Sequence, residues 1–240
     1  MSNRIFLPVL FSVLLFSFAW MEFKSGNKKF LVVGKTQLWQ DTINNTVFFT
    51  SGMNIDADGS PRAYHPVSDS GSDKLANAGS NGKWWGIATN EKGEPFIQTK
   101  TDPAPGFYVS CTALQDGSKK ISDPVRYVNS DSIPYIVLPN SKTILAEIKM
   151  GDIAFVKNLR NGRSSYAICA DVGSKDKIGE GSIALADSLG INSSPRKGGT
   201  RDSVLYIVFP GSGNGQIKNR ATINFIGQIR FQEGMVNYPK

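Results

Sequence analysis

Two uninterrupted apolar runs, Tyr135-Ile136-Val137-Leu138 and Leu205-Tyr206-Ile207-Val208-Phe209, constrain the fold most. A strand with one wet face alternates apolar and polar residues, whereas a strand covered on both faces reads as continuously apolar. Shorter β-type runs surround these two: Phe30–Val33, Thr46–Phe49, Trp84–Ala88, Pro95–Thr99, Phe107–Leu114, Thr143–Ile148, Asp152–Val156, Ser165–Ala170 and Ala221–Phe231. The 24 Gly and 12 Pro supply the turns that so many short strands require. The expected fold is mainly β, a single closed β-barrel with a few short helices. A long polar loop, rich in Gly, Ser, Asp and Asn, spans residues 51–83; loops of that length in compact domains are commonly functional. One helix is predicted, with Ser182 as its cap, Ile183, Leu185, Ala186 and Leu189 as its apolar face and Gly190 as its stop.

The first 19 residues form a separate unit. Arg4 gives a positive start, Ile5 to Ala19 is almost wholly apolar, and Ser17-Phe18-Ala19 is a small-x-small cleavage site. This is the pattern of a secretory signal, with an uncleaved anchor extended by Trp20 as the alternative. Residues 20–45 follow as a leader with a first strand, and 46–240 as the main domain. The expected location is secreted or periplasmic, with no membrane association after cleavage, and the chain is expected to be a monomer. The formal charge of +7 sits on scattered pairs such as Lys119-Lys120 and Arg196-Lys197, not on a stripe interleaved with aromatics, so nucleic acid is not an expected partner. Export would expose Cys111 and Cys169 to oxidising conditions, and a bridge and two buried thiols stay equally open. Two cysteines and His65 are too few for a structural zinc site, and no metal or cofactor is expected.

Three motifs bear on chemistry. Gly179-Glu180-Gly181-Ser182-Ile183-Ala184 matches a dinucleotide fingerprint by letters, but the polar stretch before it is not the hydrophobic strand that fingerprint needs. Asn54-Ile55-Asp56-Ala57-Asp58-Gly59 has the first half of a calcium loop, with His65 where the closing Glu belongs. An Asp-Gly turn and a substrate-facing acidic loop are its other readings. Finally, Asp171 ends the apolar run 166–170, and Glu180 stands nine positions later, before the predicted helix. Hydrolysis of a glycosidic bond needs two such carboxyls, one to protonate the leaving oxygen and one to act as nucleophile or activate water.

The series Ile133–Pro139, Gly151-Asp152-Ile153-Ala154, Tyr166-Ala167-Ile168 with Asp171-Val172-Gly173, and Ile178–Ala186, with Asn54–Gly59 ahead of it, resembles the glycoside hydrolase family 75 chitosanases over roughly residues 46–210. The resemblance implies a six-stranded barrel of the double-psi type and endo-hydrolysis of β-1,4-linked glucosamine polymer (chitosan) with inversion. It places the catalytic carboxylates on Asp171 and Glu180 and favours Glu180 as acid. Ala57 stands where fungal members often carry Cys, and the two acids are closer in sequence, which bears on substrate preference more than on reaction type. Chitosan carries protonated amines, so Asp56 and Asp58, with Asp69 and Asp73 further along the loop, are candidate amine-binding groups. Trp84 and Trp85 are candidate sugar platforms, of which strand geometry lets at most one face the cleft. His65 is a sugar contact or a loop-packing residue. The alternatives are a hydrolase or lyase of another amino-sugar polymer such as peptidoglycan, which the basic charge would suit, and a noncatalytic carbohydrate-binding protein.

Overall fold

The computed structural model of the protein describes residues 26–67 and 70–236. The predicted export signal over 1–19, the start of the leader and Asp69 lie outside the described residues. Among these the strands are β1 (Asn27–Val33), β2 (Thr36–Asp41), β3 (Thr46–Asp56), β4 (Gly79–Ser80), β5 (Lys83–Trp84), β6 (Tyr135–Pro139), β7 (Ile153–Asn158), β8 (Ser164–Gly173), β9 (Glu180–Ser182) and β10 (Thr200–Phe209). The helices are α1 (Leu75–Ala78), α2 (Lys142–Glu147), α3 (Ile183–Leu189) and α4 (Arg220–Val236). Strands β3, β10, β7, β8, β6 and β9 are successive neighbours, and β9 pairs again with β3, which closes a six-stranded barrel. β1 and β2 extend from β3 as an antiparallel hairpin, and β4–β5 is a separate small hairpin.

The continuous apolar runs have the predicted cause. Along β3, β6, β7, β8 and β10, one alternating set fills the barrel: Val47, Phe49, Met53, Ile55, Ile136, Leu138, Ala154, Val156, Ala167, Cys169, Val204, Tyr206 and Val208. The other set forms a second core on the outer face, with Tyr135, Val137, Ile153, Ile168, Ala170 and Phe209 packed against Ile223 of α4. β6, β7, β8 and β10 are therefore apolar on both faces. Both thiols are free: Cys169 is buried in the barrel, and Cys111 lies in the connection between β5 and β6.

Several expectations are corrected. Thr143–Ile148 lies in and just past α2 rather than in a strand, and Ala221–Phe231 lies in α4. The runs 84–88, 95–99 and 107–114 contribute only the end of β5 and isolated bridges such as Ile87 to Ser110 and Ile97 to Tyr108. The polar loop begins after Asp56, because β3 continues through Asn54-Ile55-Asp56. Strand pairing of Asn54 with Glu180 also removes the calcium-loop reading, since such a loop needs these residues curled round an ion. The connection from 57 to 134 is mostly irregular yet anchored, by one cluster of Ala57, Ala63, Tyr64, Ala78 and Ile87 and another of Ala88, Val109 and Tyr127. The helix after β9 matches expectation: the Ser182 hydroxyl accepts from the Leu185 amide, and Gly190 ends α3 in the left-handed conformation. Among the described residues no helix is long and apolar enough to cross a membrane.

Candidate active site

One end of the outer barrel face gathers the acids that the sequence singled out. Met53 and Ile55 face the barrel interior, so Asn54 and Asp56 between and after them face out. β9 runs parallel to β3 and pairs Asn54 with Glu180, Ile55 with Gly181 and Asp56 with Ser182, which puts Glu180 on the same outer face. β6 follows β9, and β8 follows β6.

Asp171 reaches this face through an irregularity in the ladder. Ile136 pairs with Cys169, but the next residue of β6, Val137, pairs with Asp171, leaving Ala170 as an extra residue in β8. Without this bulge Asp171 would follow Cys169 into the barrel; with it, Asp171 sits beside outward-facing Val137. Bulges of this kind re-aim side chains at functional sites. The freed Ala170 carbonyl accepts the Leu114 amide. One oxygen of Asp171, Oδ1, accepts the amides of Ala113 (2.8 Å) and Val172 (2.9 Å).

Asp56 and Asp58 stand next to Asp171. One carboxylate oxygen from each of the three lies within 4.8 Å of the others. All three are nearly closed to solvent, at 8%, 9% and 9% exposure for Asp56, Asp58 and Asp171. Asp56 accepts the Asp58 amide at 2.9 Å. Asp58 accepts the Tyr64 hydroxyl at 2.6 Å, and the Tyr135 hydroxyl donates to its carbonyl at 2.9 Å. Gly86 lies flat against the Asp58 carboxyl: a Cβ there would meet its two oxygens at 2.6 and 2.8 Å. Three carboxylate oxygens at this spacing could approach a hard cation, but the rest of a six- to eight-oxygen shell is not offered by His, Cys, Asp or Glu among the described residues.

Burial and crowding hold protons on this cluster. Burial, with Asp73 adding repulsion, pushes Asp56 up to about 6 against the hydrogen bonds from Asp58 and Tyr135. Burial, then Asp56, Asp171 and Glu180, raises Asp58 well above the carboxylate range. Burial, then Asp56, raises Asp171 well above it too, opposed by its two amide donors. Glu180 is pushed up to about 7 by burial and Asp56, with Lys177 pulling the other way. The start of a helix favours a charged carboxylate, yet α3 has only seven residues and burial outweighs it. Such groups can give and take protons near neutral pH.

The remaining candidates are placed as follows. Trp84 packs beside Tyr108 and the cluster under the loop. Trp85 presents its ring to solvent at 60% exposure while its Nε1 donates to the Asn77 carbonyl. His65 is half-buried, edge-on to Phe107, with Nδ1 accepting the Val67 amide. Asp73 is a structural group: both its oxygens accept from Asn77 Nδ2 and one also accepts the Lys74 amide, at 4% exposure. Sequence reasoning missed Tyr64 and Tyr135 as the hydroxyls that hold the acids. Their local signal is faint, since Tyr135 in its apolar run reads as core and Tyr64 stands among the polar residues of the loop.

A comparison with curated proteins returns no match. The sequence does match a family described as fungal chitosanase of glycosyl hydrolase group 75, over residues 53–236. That span takes in β9, the bulge of β8, the acid cluster, Trp84 and Trp85. The chain belongs to this family of chitosan-cleaving glycoside hydrolases.

Proposed function

We propose that the protein is an exported, endo-acting chitosanase that works with inversion, Glu180 serving as general acid and Asp171 as general base. The observation that carries this reading is the strand placement of the two acids. Glu180 on β9 and Asp171 on β8 face the same side with β6 between them. Two strand spacings separate their backbones by roughly 10 Å. Inverting hydrolases hold their carboxyls about 6.5–9.5 Å apart to admit a water, against about 5–5.5 Å in retaining ones. Glu180, raised to about 7, keeps a proton for the leaving oxygen in weakly acidic solution. Asp171 has two backbone amides on one oxygen, which oppose the burial that raises it and leave the second oxygen for water. Asp56, raised only to about 6, is ionised at neutral pH and supplies negative potential for a protonated amine. The exposed ring of Trp85 is the sugar platform, and Trp84 packs into the cluster under the loop.

The test is reducing-end release from chitosan by the parent beside Asp171→Asn and Glu180→Gln. Both variants should lose at least 10³-fold in kcat while retaining the parent's circular dichroism. Proton NMR of the first products should show the α-anomer; a β-anomer would assign a retaining mechanism. With Glu180 as acid, kcat should fall as pH rises through about 7. Export rests on the apolar run Ile5 to Ala19 and its small-x-small end. N-terminal sequencing of protein recovered from the medium should begin at Trp20; recovery only from the membrane would assign an anchor.

A further inference from the structure

Asp58 differs from the other acids of the cluster in how it is held. Asp171 receives two amide donors, and Asp56 receives the Asp58 amide and a hydrogen bond from Tyr135. The Asp58 carboxyl receives one donor, the Tyr64 hydroxyl. Its plane is set by Gly86 on one side, and its backbone by Tyr135. The chain turns sharply just after it: Gly59 has φ +78°, its amide donates to Ser110 Oγ, and a Cβ there would meet the Val128 carbonyl at 1.9 Å. The carboxyl is thus fixed in place and turned inward rather than toward a bound polymer.

The groups facing it come from every packed element. Asp56 comes from the end of β3, Tyr64 and Asp73 from the loop after it, and Cys111 from the connection before β6. Tyr135 comes from β6, Asp171 from β8 and Glu180 from β9, with Lys177 acting on Glu180. The carboxyls outnumber the cation, and three like charges at this spacing away from water do not all ionise. The acid with the fewest donors and the most acidic neighbours is where a proton costs least to keep.

We propose that Asp58 is a positioning residue for Asp171, a neutral carboxyl that accepts the Tyr64 hydroxyl on Oδ1 and turns its own O–H toward the Asp171 carboxylate. The arrangement orients the Asp171 oxygen that the backbone amides leave free, and it spares Asp171 a second negative charge at close range. It rests on the reading of Asp171 as the base.

The experiment compares Asp58→Asn, Asp58→Leu and Tyr64→Phe in kcat and KM on chitosan, with Asp171→Asn as control. An asparagine can accept from Tyr64 and donate toward Asp171, so it reproduces a neutral carboxyl. Asp58→Asn should keep kcat within about fivefold of the parent. Asp58→Leu should lower kcat at least 100-fold with KM within threefold. Tyr64→Phe should lower kcat about tenfold, with thermal stability monitored for all three. If Asp58→Asn falls as far as Asp58→Leu, Asp58 acts as an ion and the proposal is overturned. If Asp58→Asn raises KM with kcat unchanged, Asp58 binds the substrate amine and the proposal is again overturned. An active Asp171→Asn would instead sink the catalytic assignment on which it rests.

Discussion

At the scale of single residues, the site depends on positions that carry no chemistry. Gly86 has no room for a Cβ, because the Asp58 carboxyl already occupies that space. Gly86→Ala should displace the acid cluster, lowering kcat at least tenfold and costing about 1–3 kcal/mol of stability, read by kinetics and thermal unfolding of the same sample. Gly59 combines a positive φ with a carbonyl at the Cβ position, so Gly59→Ala should fold poorly or not at all. Asp56, Asp58, Asp171 and Glu180 were legible as chemical groups because each is an acid at a strand end or turn. Their meeting was not legible, since it takes a bulge at Ala170 that no local residue preference announces. Tyr64 and Tyr135 were silent because the feature that matters, a hydroxyl aimed at the Asp58 carboxyl six residues away in one case and at the Asp58 carbonyl across the fold in the other, is a three-dimensional one.

At the scale of elements, the misread segments share a cause. In 221–231, Ile223, Phe225, Ile229 and Phe231 fall at even spacings, the period of a strand. The same segment also places Ile223, Ile226, Gly227 and Phe231 on one helical stripe, and the fold uses that stripe. Ile223 is fully buried, Ile226 and Phe231 pack on the outer core, and Phe225 stays 66% exposed. Gly227 is the point of closest approach, where a Cβ would run into the Tyr166 ring at 2.3 Å. Gly227→Val should push α4 off β7 and β8 and lower the melting temperature by several degrees, an overpacking cost of about 1–3 kcal/mol. Phe225→Ser, on the solvent side, should leave it within a degree or two. Thr143–Ile148 is too short for either period to win by itself, and packing of Ile144 and Ile148 against the barrel core selects the helix α2.

At the scale of the whole molecule, the clustered acids couple stability to pH. A carboxyl whose pKa is higher in the folded than in the unfolded chain keeps its proton where the unfolded chain has lost it. Folding then takes up protons, and stability falls as pH rises. Asp56 moves from 3.8 to about 6 and Glu180 from 4.5 to about 7, and Asp58 and Asp171 move in the same direction. The contribution of Asp56 and Glu180 is fully present below their unfolded values of 3.8 and 4.5 and is lost as pH rises through about 6 and about 7. The melting temperature should therefore fall as pH rises from about 4, and Asp56→Asn should flatten that fall between about pH 4 and 6; an unchanged slope there would show that this carboxyl ionises freely in the fold. With Glu180 in the proposed acid role, its ionisation through about pH 7 should make activity and stability decline together on the alkaline side.

The sequence by itself determined the architecture class and the family, and it singled out the acids that could carry chemistry. Doubly apolar strands can be covered on both faces only in a closed barrel or a layered sheet, and acids at strand ends carry their chemistry wherever they go. Tertiary structure alone decided which way those acids point, which of the polar-loop aspartates are structural, and whether an ambiguous apolar segment coils or extends. These depend on a bulge in β8, on the absence of a Cβ at Gly86 and Gly227, and on which surface remains to be covered once the barrel has closed. Contacts between residues far apart in the chain set all three, and local propensity is too weak to fix them in advance.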